Sequence, residues 1–147
     1  MFASMRSSPD RRNDLRLRPI GVVQSPIKDL GAAPCQGDED APDCWLIFDA
    51  DMRPALDGVR PGAEIVVITW LHLADREIRQ VHPRGDPSRP LQGVFATRSP
   101  HRPNPLGLHV VTVLAVEDLR VRVQHLEAVD GTPVVDIKPV LEPRGNR

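Results

Sequence analysis

Short apolar runs separated by turn residues form the dominant pattern of this chain. Leu119, Val121 and Val123 alternate with polar residues, which is typical of a strand with one face in solvent. Residues 65–68 form a continuous apolar run, which indicates a strand covered on both faces. Such runs predict strands over residues 17–23, 44–48, 63–71, 93–97, 106–116, 119–124 and 134–140. Pro139 predicts that the last strand ends at a sheet edge, because proline cannot donate to a strand ladder.

Almost no helical period accompanies these strands. Residues 51–56 fit one helical turn that stops at Gly58, and 16 prolines with 10 glycines disfavour a helical bundle. Polar residues 75–90 predict a long surface loop, of a kind that is often functional or mobile. Six or so short strands joined by turns predict an all-β fold, a small closed or nearly closed β-barrel with long loops and little helix.

The length of 147 residues fits a single domain. Residues 1–16 are polar and without period, which predicts a flexible tail or a weak phosphate-binding arm, and residues 17–143 form the domain. No apolar run approaches the roughly 20 residues of a membrane helix. Cys35 and Cys44 make no disulfide framework and fit no zinc spacing, and the N-terminus lacks a secretory signal. We therefore expect a cytoplasmic location.

The charge is nearly balanced, with 19 Lys+Arg against 20 Asp+Glu and a formal net charge of -1. This balance excludes a generally basic nucleic-acid coat but leaves a local basic patch open. Residues 76–102 carry six arginines against Asp75, Glu77 and Asp86, which favours a nucleic-acid partner. Residues 29–51, with seven acids and no Lys or Arg, oppose one.

The loop at residues 98–105 is the most informative segment for chemistry. Arg98 and Arg102 lie between prolines, and Ser99 and Asn104 add further donors. Preorganised donors of this kind hold an anion or a planar polar group at low entropic cost, although a proline-rich surface connector has the same composition. The five histidines show no metal-ligand spacing, and no phosphate-binding glycine motif is present, so we expect no metal.

Two acidic residues follow the strand at 119–124. Glu127 and Asp130 flank a turn, where a carboxylate can accept hydrogen bonds from ribose hydroxyls or stabilise a cation. The alternative for both is an ordinary solvated acid, which at Asp130 caps the turn.

Three segments resemble those of a known family. Residues 93–107, GVFATRSPHRPNPLG, and residues 130–139, DGTPVVDIKP, resemble the signatures of the TsaA-like family, the TrmO or YaeB-like tRNA methyltransferases. Residues 20–26, IGVVQSP, are similar to the usual opening of these proteins. Trp70, Leu71 and His72, followed by HPRGDP, resemble the short-form members. The resemblance covers about residues 19–141.

The resemblance implies a β-barrel homodimer that binds S-adenosylmethionine. It also implies methyl transfer to N6 of N6-threonylcarbamoyladenosine, next to the anticodon of tRNA. The family's cofactor contacts fall on Pro34, Cys35, Gln36, His72, Leu73, Arg98, Leu108, Gln124, His125, Leu126 and Glu127. The catalytic group stays open, with His72 and Arg102 as candidates: His72 or a carboxylate takes the acceptor's proton, and Arg102 is structural or faces the substrate.

The chain also departs from the family pattern. Cys35 replaces the usual Arg, Leu73 stands where Gln is common, and Glu127 stands where Asp is common. Two alternatives therefore accompany the tRNA reaction: methyl transfer to another small or nucleoside acceptor, and a cofactor-binding module without catalysis.

Overall fold

Six antiparallel strands close into a barrel, and two short strands pair outside it. The computed structural model describes residues 15–29 and 42–141. The strands are β1 (Gly21–Gln24), β2 (Cys44–Phe48), β3 (Glu64–Trp70), β4 (Gln80–Val81), β5 (Gln92–Gly93), β6 (Leu106–Glu117), β7 (Arg120–Gln124) and β8 (Pro133–Pro139). The barrel order is β1-β2-β7-β6-β3-β8, and it closes because β8 also pairs with β1. The predicted all-β barrel is confirmed.

Aliphatic side chains fill the barrel. Leu46, Val67, Val121, Val123 and Val134 are completely buried, and Phe48 is the one aromatic side chain in the described part of the core. β3 points alternate side chains into this core, as strand geometry requires. Its outward side chains are half-buried, so the outer face of β3 is covered only in part, which is less than the continuous apolar run predicted.

The predicted helical turn consists of two 3-10 turns, Ala50–Met52 and Pro54–Leu56. Leu56 packs into the core, and Gly58 ends the segment with a φ of 94°. Arg53 fastens these turns to the connection between β6 and β7, because its guanidinium donates to both carboxylate oxygens of Asp118 at 2.7 and 2.9 Å.

Three predicted segments differ in the structure. The strand predicted over 93–97 is wrong: only Gly93 belongs to a strand, and Val94–Ala96 forms a 3-10 turn. The first strand starts at Gly21 rather than at residue 17, since Pro19 has no backbone donor to offer. The loop at 75–90 contains β4 and the 3-10 turn Pro83–Gly85, so it is more ordered than its composition indicates.

Pro139 lies at a local edge within the closed barrel. Val140 N donates to Glu64 O at 3.2 Å. Backbone nitrogens of successive strand residues point to opposite sides, so the nitrogen of Pro139 faces away from β3. On that side β1 pairs only with Pro133 and Val134. The missing proline donor therefore leaves no strand unpaired.

Membrane-spanning helices and clusters of metal-ligand side chains are both absent from the described residues. The described residues contain no helix with the length and hydropathy needed to cross a membrane. Within the same ranges, no group of three or more His, Cys, Asp or Glu side chains is arranged to hold a metal ion. The predicted N-terminal tail lies outside the described residues except for positions 15 and 16, which form no strand.

Candidate functional site

A cleft of about 330 Å³ opens beside β6. β7 ends at Gln124, which pairs with Thr112, so residues 108–111 of β6 extend past the end of that ladder. The chain leaves β7 at His125, whose φ of 60° lies in the left-handed region. Residues 108–112, Glu64, Gln124, His125 and Glu127 line the cleft. Its volume falls within the range of small-molecule sites.

Four of the predicted cofactor residues meet in this cleft. Leu108 comes from β6, and Gln124, His125 and Glu127 come from the end of β7 and the segment that follows it. Leu108 is 53% exposed, so it presents apolar surface to the cleft, whereas Glu127 has a buried carboxylate oxygen, Oε2. The cleft thus combines apolar surface with an amide and a carboxylate.

Leu126 anchors the segment between these lining residues. Its side chain is completely buried in the barrel core, so any contact with a ligand comes from its main chain. Leu126 N donates to Pro42 O at 3.2 Å, and the thiol of Cys44 donates to Leu126 O at 3.4 Å. Burial raises the pKa of the Cys44 thiol, so this cysteine is a structural hydrogen-bond donor.

His109 is a cleft residue that the sequence did not single out. Its Nε2 lies 2.8 Å from Oγ1 of the fully buried Thr69, and burial lowers the pKa of His109 to about 4. Thr69 Oγ1 has no other hydrogen-bond partner among the described residues, so we infer that it donates to Nε2. The imidazole is then neutral at neutral pH, with its proton on Nδ1.

The loop at 98–105 is fastened by its own arginine and by a neighbouring loop. Arg102 Nη2 donates to the carbonyls of Val94 and Thr97, the second at 2.7 Å. Asp75 N donates to His101 Nδ1 at 2.9 Å, and Arg76 Nε donates to the carbonyl of Pro103 at 2.7 Å. These contacts leave the loop rigid and commit part of the Arg102 guanidinium to holding it.

The other predicted site residues lie outside the lining of the cleft. His72 and Leu73 are exposed just after β3, and His72 follows Ile68, the β3 partner of Leu108, by four residues. Arg98 is exposed and makes no hydrogen bond or ion pair with another described residue, so its guanidinium is available to an anion. Pro34, Cys35 and Gln36 lie outside the described residues.

Asp130 joins two segments of the chain. Its carboxylate accepts hydrogen bonds from Ser25 N at 2.9 Å and from Lys28 Nζ at 3.0 Å. The first of these bonds, with help from Lys28, lowers the pKa of Asp130. Asp130 therefore holds the segment after β1 against the turn before β8, which is a structural role.

The sequence of this chain matches the model of a known protein family. The family model of the tRNA-methyltransferase O N-terminal domain matches residues 22–143. The chain belongs to this family. The predicted resemblance and the barrel fold are therefore both confirmed.

Archaeal members of known sequence are similar over most of their length. A probable S-adenosyl-L-methionine-binding protein from Methanothermobacter thermautotrophicus is 43% identical over 129 residues, covering 88% of this chain and 92% of the relative. An S-adenosyl-L-methionine-binding protein from Archaeoglobus fulgidus is 46% identical over 125 residues, covering 83% of this chain and 86% of the relative.

Solved structures of family members share the fold. A crystal structure of TrmO superposes with a TM-score of 0.72 at 31% identity, covering 90% of this chain and 59% of that one. TrmO from Pseudomonas aeruginosa gives a TM-score of 0.69 at 30% identity, covering 90% and 58%. The chain thus spans less than two thirds of the length of these solved proteins.

Proposed function

We propose that this protein is an S-adenosylmethionine-dependent methyltransferase that acts on N6 of N6-threonylcarbamoyladenosine next to the anticodon of tRNA. The observation that carries the proposal is the cleft beside β6, where Leu108, Gln124, His125 and Glu127 converge. Family membership and the names of the archaeal relatives support the cofactor. The tRNA substrate implies a cytoplasmic location.

The residues of the cleft fit the chemistry of S-adenosylmethionine. Its adenine ring needs apolar surface, which Leu108 offers, and its ribose hydroxyls need acceptors such as the side chain of Gln124. Its sulfonium is a cation, which a partly buried carboxylate such as Glu127 attracts more strongly than it would in water. Arg98 carries an available guanidinium that suits the carboxylate of the methionine part.

The protein's own contribution to the reaction is mainly positioning. When bound, S-adenosylmethionine supplies an electrophilic methyl group. The cleft walls and the rigid loop held by Arg102 orient the reactants, and orientation of this kind lowers the barrier to transfer. His72, exposed just after β3, is the candidate that takes the acceptor's proton, since histidine is the commonest general base.

The anionic threonylcarbamoyl group of the modified nucleoside is complementary in charge to the arginine-rich loops of residues 76–102. Since Arg98 is assigned to the cofactor, we expect an arginine among Arg79, Arg84 and Arg89 to clamp the threonyl carboxylate through paired hydrogen bonds. The carbamoyl group of the nucleoside makes N6 more acidic, which eases loss of the proton. The six arginines of residues 76–102 also favour contact with the phosphates of tRNA.

We also propose that the protein forms a homodimer. Outward residues of β6 form an exposed apolar row, with Leu106 42%, Leu108 53%, Val110 61% and Leu114 37% exposed. Apolar rows of this kind mark interaction surfaces, and most oligomers are two-fold symmetric. We place the homodimer contact on this face; Leu108 and Val110 also line the cleft, so the contact and the cofactor site share this wall.

A labelled-methyl transfer assay tests the proposed reaction. tRNA from strains with and without the threonylcarbamoyl pathway is incubated with the protein and labelled cofactor. We expect labelling of the modified tRNA only, and we expect Arg98→Ala to reduce it. Equal labelling of both tRNAs rejects this acceptor. Labelling of neither, with cofactor binding intact, favours a smaller acceptor or a binding module without catalysis.

A further inference from the structure

The cleft beside β6 contains a hydrogen-bond donor whose direction is fixed. His109 lines the cleft, and its Nε2 accepts the hydroxyl proton of Thr69 over a distance of 2.8 Å. The other ring nitrogen, Nδ1, therefore carries the proton of the neutral imidazole. Nothing among the described residues accepts a hydrogen bond from Nδ1. This neutral N–H group is thus available to a ligand.

The ring that carries the donor is held rigidly. The imidazole lies over Gly107, where an added Cβ atom would stand 2.7 Å from Nε2. Thr69 is completely buried in β3, at the position that pairs with Gly107. Glycine at this position makes room for the ring, and the buried hydroxyl sets both its orientation and its tautomer. A donor fixed in this way binds an acceptor with little further loss of side-chain freedom.

Nδ1 of His109 is open to the cleft rather than sealed inside the barrel. The residue is half-buried, and Nδ1 is not among the atoms of the described residues that are sealed from solvent without a hydrogen bond. Leu108 and Val110, on either side of His109 in the chain, line the same cleft. A ligand in the cleft therefore meets apolar surface and this N–H group together.

The donor discriminates among the chemical groups of S-adenosylmethionine. Glu64 and Glu127 line the same cleft and repel the carboxylate of the cofactor, and its sulfonium offers no acceptor to an N–H group. The ribose hydroxyls donate as well as accept, whereas N1, N3 and N7 of adenine only accept. Adenine is also the flat apolar part of the cofactor that suits Leu108. The donor on His109 therefore matches adenine best.

We propose that His109 recognises the adenine of the cofactor by donating a hydrogen bond from Nδ1 to N1, N3 or N7. This inference rests on the proposed cofactor cleft. Thr69 is the positioning residue, since its hydroxyl holds the imidazole in the donating tautomer. A site built around such a donor rejects an analogue that lacks the acceptor, because the donor is then covered without a partner.

Calorimetry at neutral pH with S-adenosylhomocysteine and its 1-deaza, 3-deaza and 7-deaza analogues tests the contact. Each analogue replaces one ring nitrogen by C–H, so the wild type should bind one of them at least about fivefold more weakly. In Thr69→Val/His109→Phe, which removes both partners of the polar pair and nearly keeps their shapes, this difference should vanish. His82→Phe, the same change at a histidine outside the lining, is the control and should keep the difference.

A nitrogen NMR spectrum of the wild type tests the tautomer without any variant. Long-range proton–nitrogen correlation distinguishes the protonated ring nitrogen of a neutral histidine from the unprotonated one. We expect the proton of His109 on Nδ1, and we expect the Nδ1 signal to move when S-adenosylhomocysteine binds. The weakly bound analogue should move it less at saturation. A proton on Nε2 overturns the proposal.

The calorimetric outcomes separate this contact from the proposed function. Equal affinity of the wild type for all four ligands overturns the adenine contact and leaves the cofactor cleft standing. A difference that persists in Thr69→Val/His109→Phe assigns the donor to another group and also overturns the contact. A wild type that binds none of these ligands overturns both the contact and the proposed cofactor.

Discussion

His109 and Thr69 form a polar pair beside a barrel core whose described residues are apolar. The pair explains why β6 has a glycine at position 107. A Cβ atom there would lie 2.4 Å from Thr69 Oγ1 and 2.7 Å from His109 Nε2. Thr69 and His109 are held in place by the hydrogen bond between them, so moving either side chain away costs free energy.

Gly107→Ala should therefore destabilise the protein. We expect the free energy of unfolding to fall by about 1 to 3 kcal/mol, which is typical of overpacking a filled interior. The control is Gly93→Ala, where a Cβ meets nothing within 4 Å and φ is −61°. Denaturant titration measures both. Equal midpoints for the two variants would show that the pair yields to the extra methyl group.

His109 also makes stability depend on pH. Its pKa of about 4 lies below the usual 6.5, so between these values the unfolded chain binds the proton and the folded chain does not. Stability from this group is complete above pH 6.5 and falls as the pH drops toward 4, by about 3 kcal/mol in total. Unfolding measured from pH 7 to 4 should show this loss in the wild type and not in His109→Gln. Parallel curves for the two proteins would contradict it.

Sequence patterns could not reveal this pair. The five histidines have no common spacing, and His109 meets Thr69 only because Thr69 pairs with Gly107 and Val67 pairs with His109. A diagonal contact of this kind depends on strand register, which hydrophobic alternation does not determine residue by residue. Alternation along β6 does indicate that Gly107, His109 and Val111 share the inner face.

At the scale of elements, the segment at 93–97 shows how a tertiary contact overrides local preference. Its apolar and β-branched residues favour a strand, yet Val94–Ala96 is a 3-10 turn. Arg102 donates hydrogen bonds to the carbonyls of Val94 and Thr97. The chain turns at residues 94–96 because a straight strand would not direct both carbonyls toward one guanidinium. The predicted anion-binding loop therefore uses one of its two arginines to shape the chain and leaves Arg98 for a ligand.

Arg102→Lys should loosen this turn while the barrel stays intact. An ammonium group keeps the charge but lacks the fork of donors that reaches both carbonyls. We expect faster hydrogen exchange at Thr97 N–H, which donates to Val94 O, and unchanged exchange in β3. Arg60→Lys, at an exposed position, is the control. Unchanged exchange at residues 94–97 in Arg102→Lys would show that the turn holds without the guanidinium.

At the scale of the whole molecule, turn signals and strand-like runs were sufficient to predict a barrel. They did not predict the cleft, because it arises where β7 stops at Gln124 while β6 continues to Leu106. Family resemblance named four of its lining residues, but which residues converge follows from the closed topology. The placement of His72 and Arg98 outside the lining is likewise a result of the fold.

The exposed apolar row on β6 predicts how the molecule assembles. Val110→Lys puts a charge on its most exposed member, at 61%, and should convert the proposed dimer to a monomer in light scattering at micromolar concentration. Leu17→Lys, at 55% exposure before β1, is the control and should leave the dimer intact. A dimer that survives Val110→Lys, or a wild-type monomer, would place the assembly elsewhere or remove it.

We propose that the cleft beside β6 binds the cofactor and that Glu127 faces its positive charge. Calorimetric titration with S-adenosylmethionine and with its demethylated product, S-adenosylhomocysteine, tests this proposal. Wild type should bind both ligands. Glu127→Gln should weaken S-adenosylmethionine by about 5- to 150-fold, the usual loss for a charged contact, and weaken the neutral product much less. Equal affinities in wild type and Glu127→Gln for both ligands, or no binding by the wild type, would contradict it.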